Sequence, residues 1–340
     1  PDRIRTEFGT ALMLARSALL LPALFGIGFA AGVALADPLQ DSEALAMLQK
    51  IADAARELNF AGTFVYQHGD QVETSRIVHF TDASGEYEKL ETLDGPRREI
   101  IRNNDEVMCY YLDAKIMRSE KRVARRSFPA LLPEQLSALT EHYQIRKGDP
   151  ERIAGFDSNA LVLEPRDGMR YGHKFWAEKT SGLLLKARMV NERHNVVEQF
   201  SFTHLAIGGG ISREMVKPSF SVSFPEWRVD RFAHNLTTNV ESGWAVKNFP
   251  AGFRKIMEMR RNKLGNSIPV THLVFSDGLA AVSVFIEPMA NRTRINEGLS
   301  HQGAINIYTR TINDQVVTVL GEAPASTVMQ IANSVSFRGK

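Results

Sequence analysis

The sequence predicts an α+β protein in which a large antiparallel sheet, curved or closed into a partial barrel, carries one long helix and is followed by a smaller α+β domain. Three observations predict it. Short apolar runs between residues 60 and 112 are separated by turn chemistry (His68-Gly69-Asp70, Ser84-Gly85, Asp94-Gly95, Asn103-Asn104-Asp105), which is the signature of a meander. The same rhythm resumes between residues 160 and 205, turned by Asp167-Gly168, Ser181-Gly182 and His194-Asn195. After Gly208-Gly209-Gly210 the pattern changes to helical and hairpin signals in alternation. The chain has 340 residues, 44% hydrophobic and 24% charged, a length that suits two cores.

The first 36 residues read as an address. Arg3, Arg5 and Arg16 precede an uncharged stretch that closes on Ala34-Leu35-Ala36, the pattern of a secretory signal peptide cleaved after Ala36. The expected division is then a leader at 1–36, a large domain at 37–207, a linker at 208–225 and a smaller domain at 226–340. Asp41 or Ser42 is placed to cap a helix whose Leu45, Leu48, Ile51, Ala52, Ala55 and Leu58 share one face. Five strands follow: 60–66, 72–80, 86–93, 99–102 and 107–112. A short helix is expected within 128–143, from its Leu132, Leu136 and Leu139 stripe. Four more strands cover 160–164, 169–177, 183–190 and 196–205. In the smaller domain 252–264 is helical by pattern, while Asp277-Gly278 and Asn313-Asp314 each turn a hairpin. Pro324 opens a final helix through Val328, Ile331 and Ala332.

Catalytic chemistry finds no support. There is no HExxH, GxSxG or P-loop pattern, and the nine histidines include no pair at i+2 or i+4. One cysteine excludes an internal disulfide and any CxxC site. Net charge is +2, with 41 basic against 39 acidic residues, so no nucleic-acid-binding field is indicated. Neither a cofactor nor a metal is expected, and the chain does not read as an enzyme.

The strand Val107-Met108-Cys109-Tyr110-Tyr111-Leu112 is apolar on both faces, so both faces should be covered. Plain core under the first helix and a neighbouring sheet is one reading; an apolar cavity that accepts an acyl chain is the other. Phe64, Tyr66, Val78, Phe80 and Phe175 belong to the same class of position. Arg118, Lys121, Arg122, Arg125 and Arg126 form a basic run, either a solvated loop or an anion site. Arg254, Lys255, Arg260, Arg261 and Lys263 form a second basic face. An aromatic group, Phe220, Phe224, Trp227, Phe232, Trp244, Phe249 and Phe253, spans the linker and its exit; it is suited to a partner or to packing between domains.

These features come together in a resemblance. Leu58-Asn59-Phe60-Ala61-Gly62-Thr63-Phe64-Val65-Tyr66 after a helix, Trp227-Arg228-Val229, and Trp244 with Asn248-Phe249-Pro250-Ala251-Gly252-Phe253 carry it. So do the stretch from His272 to Ala280, Val282 to Glu287, and the Gly-Ala-Ile-Asn run from Gly303. The chain resembles the RseB/MucB family of periplasmic sigma-E regulators across the whole region after the leader. The resemblance implies a half-open barrel like LolA and LolB, then a smaller domain. It implies binding of the periplasmic part of a membrane anti-sigma factor (RseA/MucA type), which shields that part from proteolysis, with release by lipopolysaccharide-type amphiphiles.

On that basis Trp227, Arg228, Trp244, Phe249, Phe253, Arg254 and Lys255 are expected at the partner. Phe64, Tyr66, Phe80, Tyr110 and Leu112 are expected to line the amphiphile site, with Arg122 and Arg125 at its rim. A second copy of the chain is an open partner, and a periplasmic lipid or lipoprotein carrier is the alternative function.

Overall fold

The computed structural model describes residues 39–121, 128–133, 135–220, 226–230, 236–238, 241–261, 270–291 and 295–338. The expected leader, Arg122 and Arg125 lie outside the described residues.

Helix α1 (Asp41–Glu57) buries Ala44, Leu48, Ile51, Ala52, Ala54 and Ala55 along one face. Gln40, not Asp41 or Ser42, occupies its cap; Asp41 and Glu43 in the first turn favour the positive end of the helix dipole. A meander follows: β1 (Phe60–His68), β2 (Gln71–Asp82), β3 (Gly85–Thr92), β4 (Arg98–Asn103), β5 (Glu106–Tyr111) and β6 (Ile116–Lys121). After the short helix α2 (Ser137–His142) come β7 (Tyr143–Gly148), β8 (Arg152–Ile153), β9 (Phe156–Pro165), β10 (Gly172–Glu178), β11 (Leu184–Val190) and β12 (Val196–Ile207). Strand β13 (Arg228–Asp230) returns to pair in parallel with β6. The sheet runs β13-β6-β5-β4-β3-β2-β1-β12-β11-β10-β9-β7 and ends on β13 and β7, so it is open rather than closed.

Strands β6, β7 and β8 add to the nine expected. Their sequences carry charge within short runs (Arg118 and Glu120; Arg146), which breaks the apolar alternation that marks a strand.

The smaller sheet has the order β14 (Leu236–Thr238), β16 (Arg254–Arg261), β17 (Val270–Ser276), β18 (Ala281–Pro288), β21 (Gln315–Gly321), β20 (Ile305–Ile312), β19 (Gly298–Gln302). Helix α3 (Ala325–Asn333) packs Val328, Ile331 and Ala332 on Val282, Val284, Val317 and Val319. A two-stranded ribbon pairs β15 (Trp244–Val246) with β22 (Val335–Phe337).

The helix expected over 252–264 is strand β16. Its pairing with β17 shifts register between Lys255 and Met257, and this bulge leaves Ile256 half exposed. The extra residue converts a two-residue alternation into the spacing Phe253, Ile256, Met257, which mimics a helix face. Strand β17 is buried at every position and requires a partner on this edge, so pairing overrides local pattern.

Helix α1 does not cover β5. It packs over the β1, β7 and β9–β11 region, in one core with Phe60, Ile77, Tyr143, Ile145, Leu161, Phe175 and Leu184. The other face of β2–β6 is covered by residues 211–220 and 226–229. Ile211 and Val216 sit on Val78, Phe80 and Tyr87, while Phe220, Trp227 and Val229 sit on Tyr110, Met117 and Ile101. Of the stretch expected as a linker, the described residues 211–220 form a strap laid across the sheet. The two sheets belong to one packed unit.

Candidate functional site

Side chains alternate between the faces of a strand, and directly paired residues share a face. The register therefore sorts the expected amphiphile residues. Gly62, Ile77, Leu90, Ile100, Cys109 and Arg118 form one cross-strand row on the inner face, the face under α1. Phe64 and Tyr66 share this face. Ala61, Val78, Lys89, Ile101 and Met108 form the neighbouring row on the outer face, with Phe80 and Tyr110. Phe64 and Tyr66 thus lie across the sheet from Phe80, Tyr110 and Leu112, and the five do not line one cavity.

Phe64 is buried in an aromatic cluster with Phe128, Phe200 and Phe202, at ring separations of 5.2, 6.3 and 6.0 Å. Gly62 makes this possible: a Cβ there would stand 2.8 Å from the Phe202 ring and 2.6 Å from the His204 carbonyl oxygen. Tyr66 stacks on Phe200 at 4.5 Å and donates its hydroxyl to Glu198 at 2.9 Å. Burial, with the charge of Glu322 from the smaller sheet, pushes Glu198 up to about 7. Further along the inner face the cover thins: Leu90, Ile100, Val107, Cys109 and Tyr111 are half-buried, and the Arg118 guanidinium lies 5.7 Å from the Tyr111 ring.

On the outer face Phe80 packs on Tyr87 under the strap. Tyr110 meets Phe220 at 5.1 Å and Trp227 at 6.0 Å, both edge-on, and Phe220 stacks on Trp227 at 5.1 Å. Leu112 joins the same cluster. Polar bonds tie the strap down as well. The Arg213 guanidinium donates to the Tyr87 hydroxyl at 2.6 Å, and Ser219 donates its N–H (3.1 Å) and its hydroxyl to the buried Glu99 carboxylate. Trp227 is therefore spent on the strap, with Arg228 exposed beside it at the sheet edge.

The remaining expected partner residues stand on the smaller sheet. Phe253 is buried, its ring 5.6 Å from the Arg170 guanidinium of the large sheet. Phe249 is exposed and packs one edge on Phe275 at 5.3 Å. Trp244 is half-buried against Phe337, itself 57% exposed. Arg254 and Lys255 are exposed, and Lys255 pairs with Glu258 at 2.5 Å. Trp244, Phe249, Arg254 and Lys255 thus come to one lobe, while Trp227 and Arg228 belong to the edge of the other.

Sequence reasoning missed the seam between the sheets. The turn Ser276–Ala280 inserts into the large sheet's edge, where Gly278 lies beside Pro133 and Leu139. Arg170 donates to Asp277 at 2.9 Å, to both Asp167 oxygens at 3.0 Å, and to the Ala251 carbonyl at 2.5 Å. Tyr171 accepts from Asn306 at 3.0 Å, and Thr327 donates to the Met169 carbonyl at 2.6 Å. The only signals were the turn dipeptides Asp167-Gly168 and Asp277-Gly278, which mark bends but not what they touch. Among the described residues, no group of three His, Cys, Asp or Glu side chains is placed to hold a metal.

Comparison with known proteins bears on both sheets. A family model described as the MucB/RseB N-terminal domain matches residues 43–220, more than half of the chain, and one described as the MucB/RseB C-terminal domain matches residues 238–336. The chain belongs to the MucB/RseB family. The sigma factor AlgU regulatory protein MucB of Pseudomonas aeruginosa is 29% identical over 303 residues, which cover 87% of this chain and 92% of that protein. The sigma-E factor regulatory protein RseB of Escherichia coli K12 is 23% identical over 300 residues, 86% and 90% of the two chains. Among solved structures, the Pseudomonas aeruginosa MucA/MucB complex matches with a TM-score of 0.70 at 28% identity, covering 88% of this chain and 100% of that one. A crystal structure of MucB matches with a TM-score of 0.63 at 27% identity, covering 86% and 98%. The mixed α+β fold with a large open sheet is that of MucB.

Proposed function

We propose that this chain is a periplasmic, non-enzymatic regulator of an envelope-stress sigma factor. It binds the periplasmic segment of a membrane anti-sigma factor and shields that segment from proteolysis. The observation that carries this reading is the match, across both sheets, to MucB as solved with MucA. Trp244 on the two-stranded ribbon, Phe249 and Arg254 at the start of β16 supply aromatic and cationic side chains, the composition that dominates polypeptide interfaces. Within the reading, a sensing domain at 37–207, to whose sheet β13 returns, precedes a smaller domain that contributes to partner binding.

The sensing ligand is an acylated amphiphile of the lipopolysaccharide type. The half-buried inner row of Leu90, Ile100, Cys109 and Tyr111 supports it better than Phe80, Tyr110 and Leu112, because the strap already occupies the outer face. An amphiphile that favours one arrangement of the chain shifts partner affinity only by its differential binding to the two arrangements. The same apolar row favours the second reading, a periplasmic lipid or lipoprotein carrier.

Calorimetric titration of the chain with the anti-sigma periplasmic segment, with and without a lipid A-type amphiphile, tests both. Saturable binding that the amphiphile weakens is expected. Absence of binding to the segment, with transfer of lipoprotein between membranes, would replace the regulator by the carrier.

A further inference from the structure

On the outer face of the large sheet, strands β10 and β11 place two cross-strand pairs side by side: Lys174 opposite Arg188, and Trp176 opposite Lys186. All three cations lie over the same indole. The Lys174 and Lys186 ammonium nitrogens stand 4.6 and 4.4 Å from the Trp176 ring, and the Arg188 guanidinium carbon 5.4 Å. Like charges directly opposite on one face destabilise a sheet. Covering a tryptophan requires only the aliphatic stems, which any long apolar side chain would supply without charge.

Among the described residues, one charge of the three is neutralised. Lys186 pairs with Glu151 at 2.7 Å, whereas Arg188 donates to the neutral Gln199 amide oxygen at 2.9 and 2.7 Å. Among the described residues no carboxylate pairs with Lys174 or Arg188. The Trp176 indole N–H is also buried without an acceptor. The block is thus all donors, with two uncompensated positive charges held half-buried beside an aromatic ring. A local rule broken this openly is expected where function requires it.

We propose that the Lys174–Trp176–Lys186–Arg188 block is a docking surface for an acidic polypeptide segment, whose carboxylates pair with Lys174 and Arg188. Three half-buried cations in a row over the fully buried Trp176 suit an extended chain with successive carboxylates, whereas sites for small anions are concave. Arginine meets a carboxylate through two parallel hydrogen bonds, and the partly desolvated setting strengthens each pair. This inference rests on the reading that the chain binds a polypeptide, and adds to it a second surface on the large sheet with a stated charge preference.

The test titrates the whole chain with an alternating Glu–Gly peptide, an alternating Gln–Gly peptide and inorganic phosphate. Binding of the Glu peptide alone is expected, and it should weaken steeply with salt. Lys174→Gln with Arg188→Gln should weaken it roughly tenfold or more, with a melting temperature unchanged or raised because a like-charge pair is gone. Lys174→Glu, which creates an opposite-charge pair with Arg188, should abolish it while leaving the fold intact. Equal binding of the Glu and Gln peptides, binding of phosphate alone, or undiminished binding by these variants would overturn the proposal and leave a cation–π ladder. If the variants also bind the anti-sigma segment as the parent does, the regulator reading stands and this surface falls. If the parent binds the Glu peptide but not that segment, the reverse holds.

Discussion

The Arg170 guanidinium donates to the Asp277 carboxylate at 2.9 Å across the seam between the two sheets, and neither side chain has any exposed surface. Asp277 also accepts the backbone N–H groups of Leu279 and Ala280 through its other oxygen, at 3.0 and 2.8 Å. One carboxylate therefore shapes the turn and anchors it to the other sheet.

Asp277→Asn keeps the turn bonds and removes the charge, leaving Asp167 as the carboxylate that faces the buried guanidinium. Breaking one side of a buried pair costs about 3–5 kcal/mol. Urea unfolding should show a loss of that order. A loss below about 1 kcal/mol would mean that the seam does not depend on the pair.

Glu198 makes seam stability pH-dependent. Burial and the charge of Glu322 push its carboxyl up to about 7 from the ordinary 4.5, against the pull of the Tyr66 hydrogen bond. A raised carboxyl stabilises the folded state in its protonated form, so the contribution is complete below 4.5 and is lost as pH rises through 7. The loss amounts to about 3 kcal/mol. Glu198→Gln should flatten the decline in unfolding free energy between pH 4.5 and pH 7; an unchanged profile would assign the titration elsewhere.

Gly252 has φ of +82°, and a Cβ there would run into the His142 imidazole at the end of α2. Gly252→Ala should lower stability by about 1–3 kcal/mol through both effects. His142→Ala in the same chain should recover only the part due to the clash, as read by thermal unfolding.

Trp227 closes the strap against Tyr110 and Phe220. Trp227→Ala should cost about 3–5 kcal/mol of local packing. Limited proteolysis between Val216 and Phe220 should accelerate in the variant. Equal cleavage rates would show that Arg213 and Ser219 hold the strap without it.

Phe249 is exposed, so Phe249→Ala should change unfolding by less than about 1 kcal/mol. Binding of the anti-sigma segment should weaken by about 2 kcal/mol. Silence in calorimetry at both Phe249 and Trp244 would move the partner contact off this face.

Much of this protein was legible in its residues. Turn dipeptides at short intervals and two-residue alternation determine local strand and hairpin geometry, so the meander, α1, α3 and both hairpins of the smaller sheet follow from short-range chemistry. The order of Trp227, Trp244, Phe249 and the run from His272 carried the family. What the sequence left open depended on pairings distant along the chain. Strand β16 reads as a helix because one bulge shifts its period, and only its long-range pairing with the buried β17 settles its form. Phe64 and Phe80 are equally apolar, yet register puts them on opposite faces of the sheet. Arg170 and Asp277 are ordinary turn residues until burial removes water from both and makes each the other's partner. Local pattern specifies which elements form; which faces are covered, by the strap or by the second sheet, is decided by contacts that exist only after the chain has closed on itself.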